Sequence, residues 1–271
     1  VKRTVRGLIL ACHPGPTLVV TLIAVLLSVS LDHSLLRTTL IGIAVLLGQL
    51  SIGWSNDWLD AQRDAHAYRL DKPTVAGVVS PELLKWISVV AVLACTGFSL
   101  ANGWPATLAH ALLVGSGWVY NVWLKPTVWS WLPYAIGFGA LPAFVTLSGP
   151  AGYLAPWWQM LAGGLLGVGA HFANVLPDLE HDRASSIDGL PQRLGLGRSA
   201  VVSFSLLAAS SVLVTVMSEP EGWALPTAVL LAVAALTLIG LSSIKTQDTA
   251  HRAFVCAIGV ALLTTVMFVT N

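Results

Sequence analysis

The sequence predicts an all-α integral membrane protein, a bundle of nine transmembrane helices, and three observations predict it. Charged residues fill only 10% of the 271 positions, against about 25% in a soluble globular chain. The residues AVILMFWYC make up 55% of the chain and its mean hydropathy is +0.77. The few charges cluster and leave seven long uncharged stretches between them. Together these exclude a disordered chain, a disulfide-stapled secreted domain and an ordinary soluble enzyme. A net charge of +1 leaves no basis for a nucleic-acid partner.

Each helix follows from a gap between charges. Residues 7–31 form the first crossing; Pro14 and Pro16 break the apolar run too early for a cleaved signal, and a full-length span follows. Residues 38–56 form the second. The stretches 86–124 and 126–177 are 39 and 52 residues long, twice the ~20 residues a crossing helix needs. Each therefore holds two helices, broken at Asn102-Gly103-Trp104-Pro105 and at Ser148-Gly149-Pro150-Ala151-Gly152, both turn signals. Residues 199–218, 222–244 and 253–271 complete the nine. Their length and lack of alternation argue against a β-barrel.

Orientation follows from Lys and Arg. With nine crossings, Lys2, Arg3, Arg6, Arg63, Arg69, Lys72, Lys85, Lys125, Arg183, Arg193, Arg198, Lys245 and Arg252 fall on one side and only Arg37 on the other. The positive-inside rule then places the N-terminus in the cytoplasm of a multi-pass protein of the cell membrane. Cys12, Cys95 and Cys256 lie far apart in apolar context, with neither metal spacing nor a disulfide framework.

Polarity concentrates in two segments, NDWLDAQRDAHAYRLDK at 56–72 and NVLPDLEHDRASSIDGLPQRLGLGR at 174–198, after the second and sixth crossings. Asn56, Asp60 and Asp64 are spaced four and four, and so are Asn174, Asp178 and Asp182, at an offset of 118 residues. At the same offset Pro73 matches Pro191 and Gly77 matches Gly195. This is the signature of an internal duplication of a four-helix unit, and repeat architectures place the site where the halves meet. Residues four apart share one helix face, so each segment presents an Asn and two Asp in a column, with Asp57 about 100° off it. Carboxylates at this spacing repel unless a hard cation sits between them. Mg²⁺ takes oxygen ligands, typically one or two carboxylates plus substrate phosphates. Two facing columns would hold two Mg²⁺ with a diphosphate between them.

A diphosphate also needs fixed cations. Arg63, Lys72 and Arg183 lie in the polar segments, and Lys125 follows the fourth crossing, five residues beyond Tyr120. The histidines form no zinc pattern. Most of the 11 tryptophans fall at helix ends, the position of an aromatic belt.

The motifs Asn56-Asp57-Trp58-Leu59-Asp60-Ala61-Gln62-Arg63-Asp64 and Asp178-Leu179-Glu180-His181-Asp182, with Tyr120 and Lys125 after the fourth helix, resemble those of the UbiA superfamily of intramembrane prenyltransferases. The resemblance spans essentially the whole chain. It implies one transmembrane domain over residues 1–271, with segments 56–82 and 174–198 as a cytoplasmic active-site cap. It implies two Mg²⁺, with Asn56, Asp60 and Asp64 on one and Asp178 and Asp182 on the other, and Asn174 added from the repeat. Lys125, Arg63 and Tyr120 would contact an isoprenyl diphosphate, supported by Lys72 and Arg183. Ionisation would give an allylic cation and pyrophosphate, and a lipophilic or aromatic acceptor from the bilayer would capture the cation. The same motifs leave open a membrane terpene cyclase with no acceptor, and a phosphoribosyl or polyprenyl-phosphate transferase. A transporter fits less well, because the columns lie at one membrane face and not at the midplane.

Overall fold

The structure is a computed structural model that describes residues 2–184, 187–220, 222–244 and 249–270. Ser185 and Ser186 of the second polar segment, and Lys245 of the orientation argument, lie outside the described residues. All regular structure among the described residues is helical. In chain order the helices are α1 (Lys2–Ala11), α2 (Pro14–Ser30), α3 (Leu35–His66), α4 (Pro81–Leu100), α5 (Trp104–Val119), α6 (Leu132–Leu147), α7 (Trp157–Val175), α8 (Leu179–Ala184), α9 (Leu190–Leu194), α10 (Leu196–Met217), α11 (Ala224–Ser242) and α12 (Ala250–Thr270). A π-helical turn, Tyr120–Leu124, follows α5, and a 3₁₀ turn, Leu176–Asp178, joins α7 to α8. Among the described residues, six stretches are long and apolar enough to cross a membrane, seven if α1 and α2 count as one broken span. This is a multi-pass membrane fold.

Local chemistry sets the helix ends. Ser34 and Ser80 cap α3 and α4 by accepting the N–H groups of Arg37 and Leu83 at 3.3 and 3.2 Å. Pro81 follows Ser80 at the first helical position, where its missing N–H costs nothing. Instead of one continuous first helix, the chain breaks between α1 and α2 with a 65° bend. The cause is Pro14, which disfavours helical backbone at the residue before it; His13 takes the left-handed conformation, φ 53°. Helix α3 runs through the first polar segment to His66, its 32 residues carrying Asn56 to Asp64 on unbroken helix.

The chain forms two compact units. The first is the chain to Trp123 together with Phe144–Tyr153, and the second is Leu124–Ala143 together with the chain from Leu154 onward. In the first, α3 is the central element, packed on α1, α2, α4 and α5. Glycines set its close approaches. A Cβ at Gly53 would lie 2.5 Å from the Cys12 carbonyl oxygen, so the α1–α2 bend seats directly on α3. In the second, α7, α10, α11 and α12 enclose a core that includes Leu166, Phe204, Leu207, Val260 and Met267. Buried hydroxyls bond across it, Ser203 to the Gly169 carbonyl and Ser210 to the Ala162 carbonyl, both at 2.8 Å, as small polar residues do between membrane helices.

Candidate functional site: two acidic motifs, one in each unit

The first acidic motif lies on the last three turns of α3. Asp60 and Asp64 are one turn apart and 5% and 6% exposed. Arg63 pairs with Asp60 across one turn. Asn56 donates from Nδ2 to Asn121 Oδ1 at 3.1 Å, a bond that uses its amide N–H and not its side-chain carbonyl oxygen. Asn121 is buried in the π-helical turn and donates to the Ile52 carbonyl and to Ser55 Oγ, both at 2.9 Å. Tyr120 sits half-buried beside it.

Asp57 lies off the Asp60–Asp64 column and is 1% exposed. Its Oδ1 accepts from Lys72 Nζ at 2.8 Å and lies 3.1 Å from His13 Nε2. Lys72 stands in the turns after α3, folded back by Tyr68 at φ 53°. Burial would lower the Lys72 ammonium pKa, but the Asp57 carboxylate in contact, with Asp64 and Asp60 nearby, holds it above the ordinary lysine value. The structure thus places Lys72 on Asp57, and His13 joins the same carboxylate.

In the second unit the Asn-Asp-Asp spacing does not lie on one continuous α-helix. Pro177 falls between Asn174 and Asp178; without an N–H, and with a ring that crowds the preceding turn, it forces the 3₁₀ turn Leu176–Asp178. Asn174 is exposed at the end of α7, Asp178 closes the 3₁₀ turn half-buried, and Asp182 is on α8. Asp182 Oδ2 accepts from Gln192 Nε2 at 2.8 Å. The neighbouring Arg183 bonds the Gln192 carbonyl oxygen, its Nε at 2.8 Å. Lys125 is half-buried after the π-helical turn, and its carbonyl faces Gly189.

Among the described residues no group of three or more His, Cys, Asp and Glu is arranged to hold a metal ion. Asp60 and Asp64 are a two-carboxylate oxygen set, which suits Mg²⁺ that keeps waters and shares substrate phosphates. Two buried like charges one turn apart call for nearby positive charge, of which Arg63 on Asp60 is one source. The residues fit such an ion.

Three residues of this arrangement escaped the sequence reading. Asn121 had a signal: it is the one amide side chain between Asn102 and Gln159. His13 and Gln192 had none beyond proximity to prolines.

Comparison with known proteins identifies the family and the fold. The sequence matches the UbiA prenyltransferase family over residues 17–269. Its fold is similar to that of a UbiA homologue from Archaeoglobus fulgidus bound to DMAPP and Mg²⁺, at TM-score 0.72 and 15% identity, covering 96% of this chain and 99% of that one. It is similar to an apo UbiA homologue from Aeropyrum pernix K1 at TM-score 0.75 and 16% identity, covering 93% and 96%. A digeranylgeranylglyceryl phosphate synthase structure is similar at TM-score 0.67 and 16% identity, covering 99% and 98%. No curated protein matches the sequence.

Proposed function

The chain belongs to the UbiA prenyltransferase family, and from that membership we propose that it is an Mg²⁺-dependent enzyme that transfers the prenyl group of an isoprenyl diphosphate to an aromatic or other lipophilic acceptor. The observation that carries this reading is the pair Asp60 and Asp64, two buried carboxylates one turn apart on a helix of membrane-crossing length. Buried, closely spaced carboxylates are costly, and such groups cluster at functional sites. The A. fulgidus homologue, bound to DMAPP and Mg²⁺, supports the substrate class and the metal.

In this reading Asn56, Asp60 and Asp64 take one ion, and Asp178 and Asp182 the other. The two ions, when bound, supply positive charge to the leaving diphosphate. Arg63, Lys125 and Tyr120 bind diphosphate oxygens, and Asn174 and Arg183 border the second motif. Lys72 acts through Asp57. The C1–O bond of the prenyl diphosphate breaks, and its electron pair leaves with pyrophosphate. The allylic cation adds to an electron-rich carbon of the acceptor, which then loses a proton. Fixed cations act where negative charge develops on the leaving group, and apolar helix faces keep water from the carbocation.

The same reading takes the chain as one functional domain of nine crossings in the cell membrane, with its N-terminus and both acidic motifs on the cytoplasmic side. The 13-to-1 split of Lys and Arg supports that orientation. Mass spectrometry of the organic product, with DMAPP or longer prenyl diphosphates and a membrane extract as acceptor source, tests the proposal. A product heavier than the prenyl alcohol, formed only when extract is added, is the expected result. A hydrocarbon or terpene alcohol formed without extract would make the enzyme a cyclase.

A further inference from the structure

Gln192 is a polar side chain only 3% exposed, on the short helix α9. Its position is fixed from several sides within the second unit. The Leu190 N–H donates to Ser130 Oγ at 3.3 Å, and Ser130 Oγ lies 3.2 Å from Nε2 of the buried His171. Ser199 Oγ donates to the Pro191 carbonyl at 2.8 Å. The Gln192 carbonyl takes Arg183 Nε at 2.8 Å, with Arg183 Nη2 on the same oxygen. Gln192 Oε1 packs on Gly189, where a Cβ would come within 2.7 Å of it. What this scaffold presents is one N–H donor, Nε2, 2.8 Å from Asp182 Oδ2.

We propose that Gln192 is a positioning residue: through its Nε2–Oδ2 hydrogen bond it fixes the carboxylate of Asp182 and thereby sets the metal affinity of the second acidic motif. The inference rests on the reading of Asp182 as a metal ligand. An amide suits this task for a definite reason. It donates without carrying charge, so it orients the carboxylate and leaves its negative charge to the cation. A Lys or Arg in its place would compete with the ion. Hydrogen-bond partners behind ligating groups typically account for about 10–100-fold in metal affinity or activity. Asp60 and Asp64 lie on the 32-residue α3, whereas a 3₁₀ turn stands between α7 and Asp182 on α8.

The test uses the full-length purified protein in detergent and Mn²⁺ as the probe, bound metal being counted by electron paramagnetic resonance with prenyl diphosphate present. Gln192→Met keeps the side chain's length and removes the donor. It should weaken Mn²⁺ binding at one of two sites by about 10–100-fold. The Mg²⁺ concentration for half-maximal pyrophosphate release should rise by the same factor, with the KM for prenyl diphosphate at saturating Mg²⁺ little changed. A purely structural role would lower the unfolding temperature and leave the metal requirement alone. If Gln192→Met does not fold, Gln192→Leu, likewise neutral and without the donor, should show the same loss. Parental Mn²⁺ affinity in the folded variant, beside lost affinity in Asp182→Ala, would overturn the role of Gln192 and leave the enzymatic reading intact. Parental affinity in Asp182→Ala would instead overturn the assignment of Asp182 as a ligand.

Discussion

Lys72 Nζ lies 2.8 Å from Asp57 Oδ1, in a pair whose side chains are 16% and 1% exposed. The contact ties the turns after α3 to the helix that carries the first acidic motif. His13, at the bend between α1 and α2, reaches the same oxygen. One carboxylate thus joins three separate stretches of chain.

Removing Lys72 leaves the buried Asp57 carboxylate with His13 as its remaining partner at that oxygen, and breaking a buried pair typically costs up to about 3–5 kcal/mol. Lys72→Met should therefore lower the thermal unfolding midpoint in detergent strongly. The double variant Lys72→Met/Asp57→Asn should recover much of the loss. A raised pKa for Lys72 means that its contribution is complete below the unfolded lysine value, about 10.4, and is lost as pH rises through the higher folded value. Lys72 should therefore add no pH dependence to stability between pH 6 and 9, and unfolding midpoints of parent and Lys72→Met across that range check it.

Asp57 and Asp60 should separate by phenotype. Asp57→Asn removes a structural charge and should act mainly on stability. Asp60→Asn removes a proposed ligand and should abolish turnover while the protein stays folded. The reverse order of turnover losses would refute the assignment of faces on α3.

Gly53 lies against the backbone of Cys12. A methyl group there has no room and cannot be accommodated by turning a side chain. Gly53→Ala should cost about 1–3 kcal/mol and loosen the α1–α2 bend, which faster hydrogen exchange in α1 would report.

Lys125→Ala should raise the KM for prenyl diphosphate about tenfold or more, as loss of a charge-assisted hydrogen bond of about 1.5–3 kcal/mol would do, with a smaller effect on kcat. An unchanged KM would leave Lys125 as an interfacial anchor.

The placement of the first acidic motif was legible in the sequence because its four-residue spacing falls on one unbroken helix. Asp60 and Asp64 lie one turn apart on α3, as the four-residue spacing requires. The second set, Asn174, Asp178 and Asp182, also falls on a helical run, Trp157–Arg183, but that run is not α-helical throughout. Pro177 stands between Asn174 and Asp178, and the chain there tightens to a 3₁₀ turn, so Asn174 does not repeat the hydrogen-bonded setting of Asn56. The bend at His13 was signalled by Pro14 and Pro16, which the reading used only to argue against a signal peptide. Lys72 on Asp57 and Gln192 on Asp182 were not legible. Each contact depends on how an irregular segment folds back, through Tyr68 at φ 53° and Gly77 at φ 64° in one case, and through Gly189 and α9 in the other. Periodicity carries no information about such returns.

The most direct test of the central claim is pyrophosphate release from a prenyl diphosphate by the purified parent, Asp60→Ala and Asp178→Ala proteins, each with Mg²⁺ and with a chelator. Release by the parent that requires Mg²⁺ and disappears in both folded variants is the predicted result. Release that persists in either variant, or that proceeds undiminished in the chelator, would contradict a metal-dependent reaction that needs both acidic motifs.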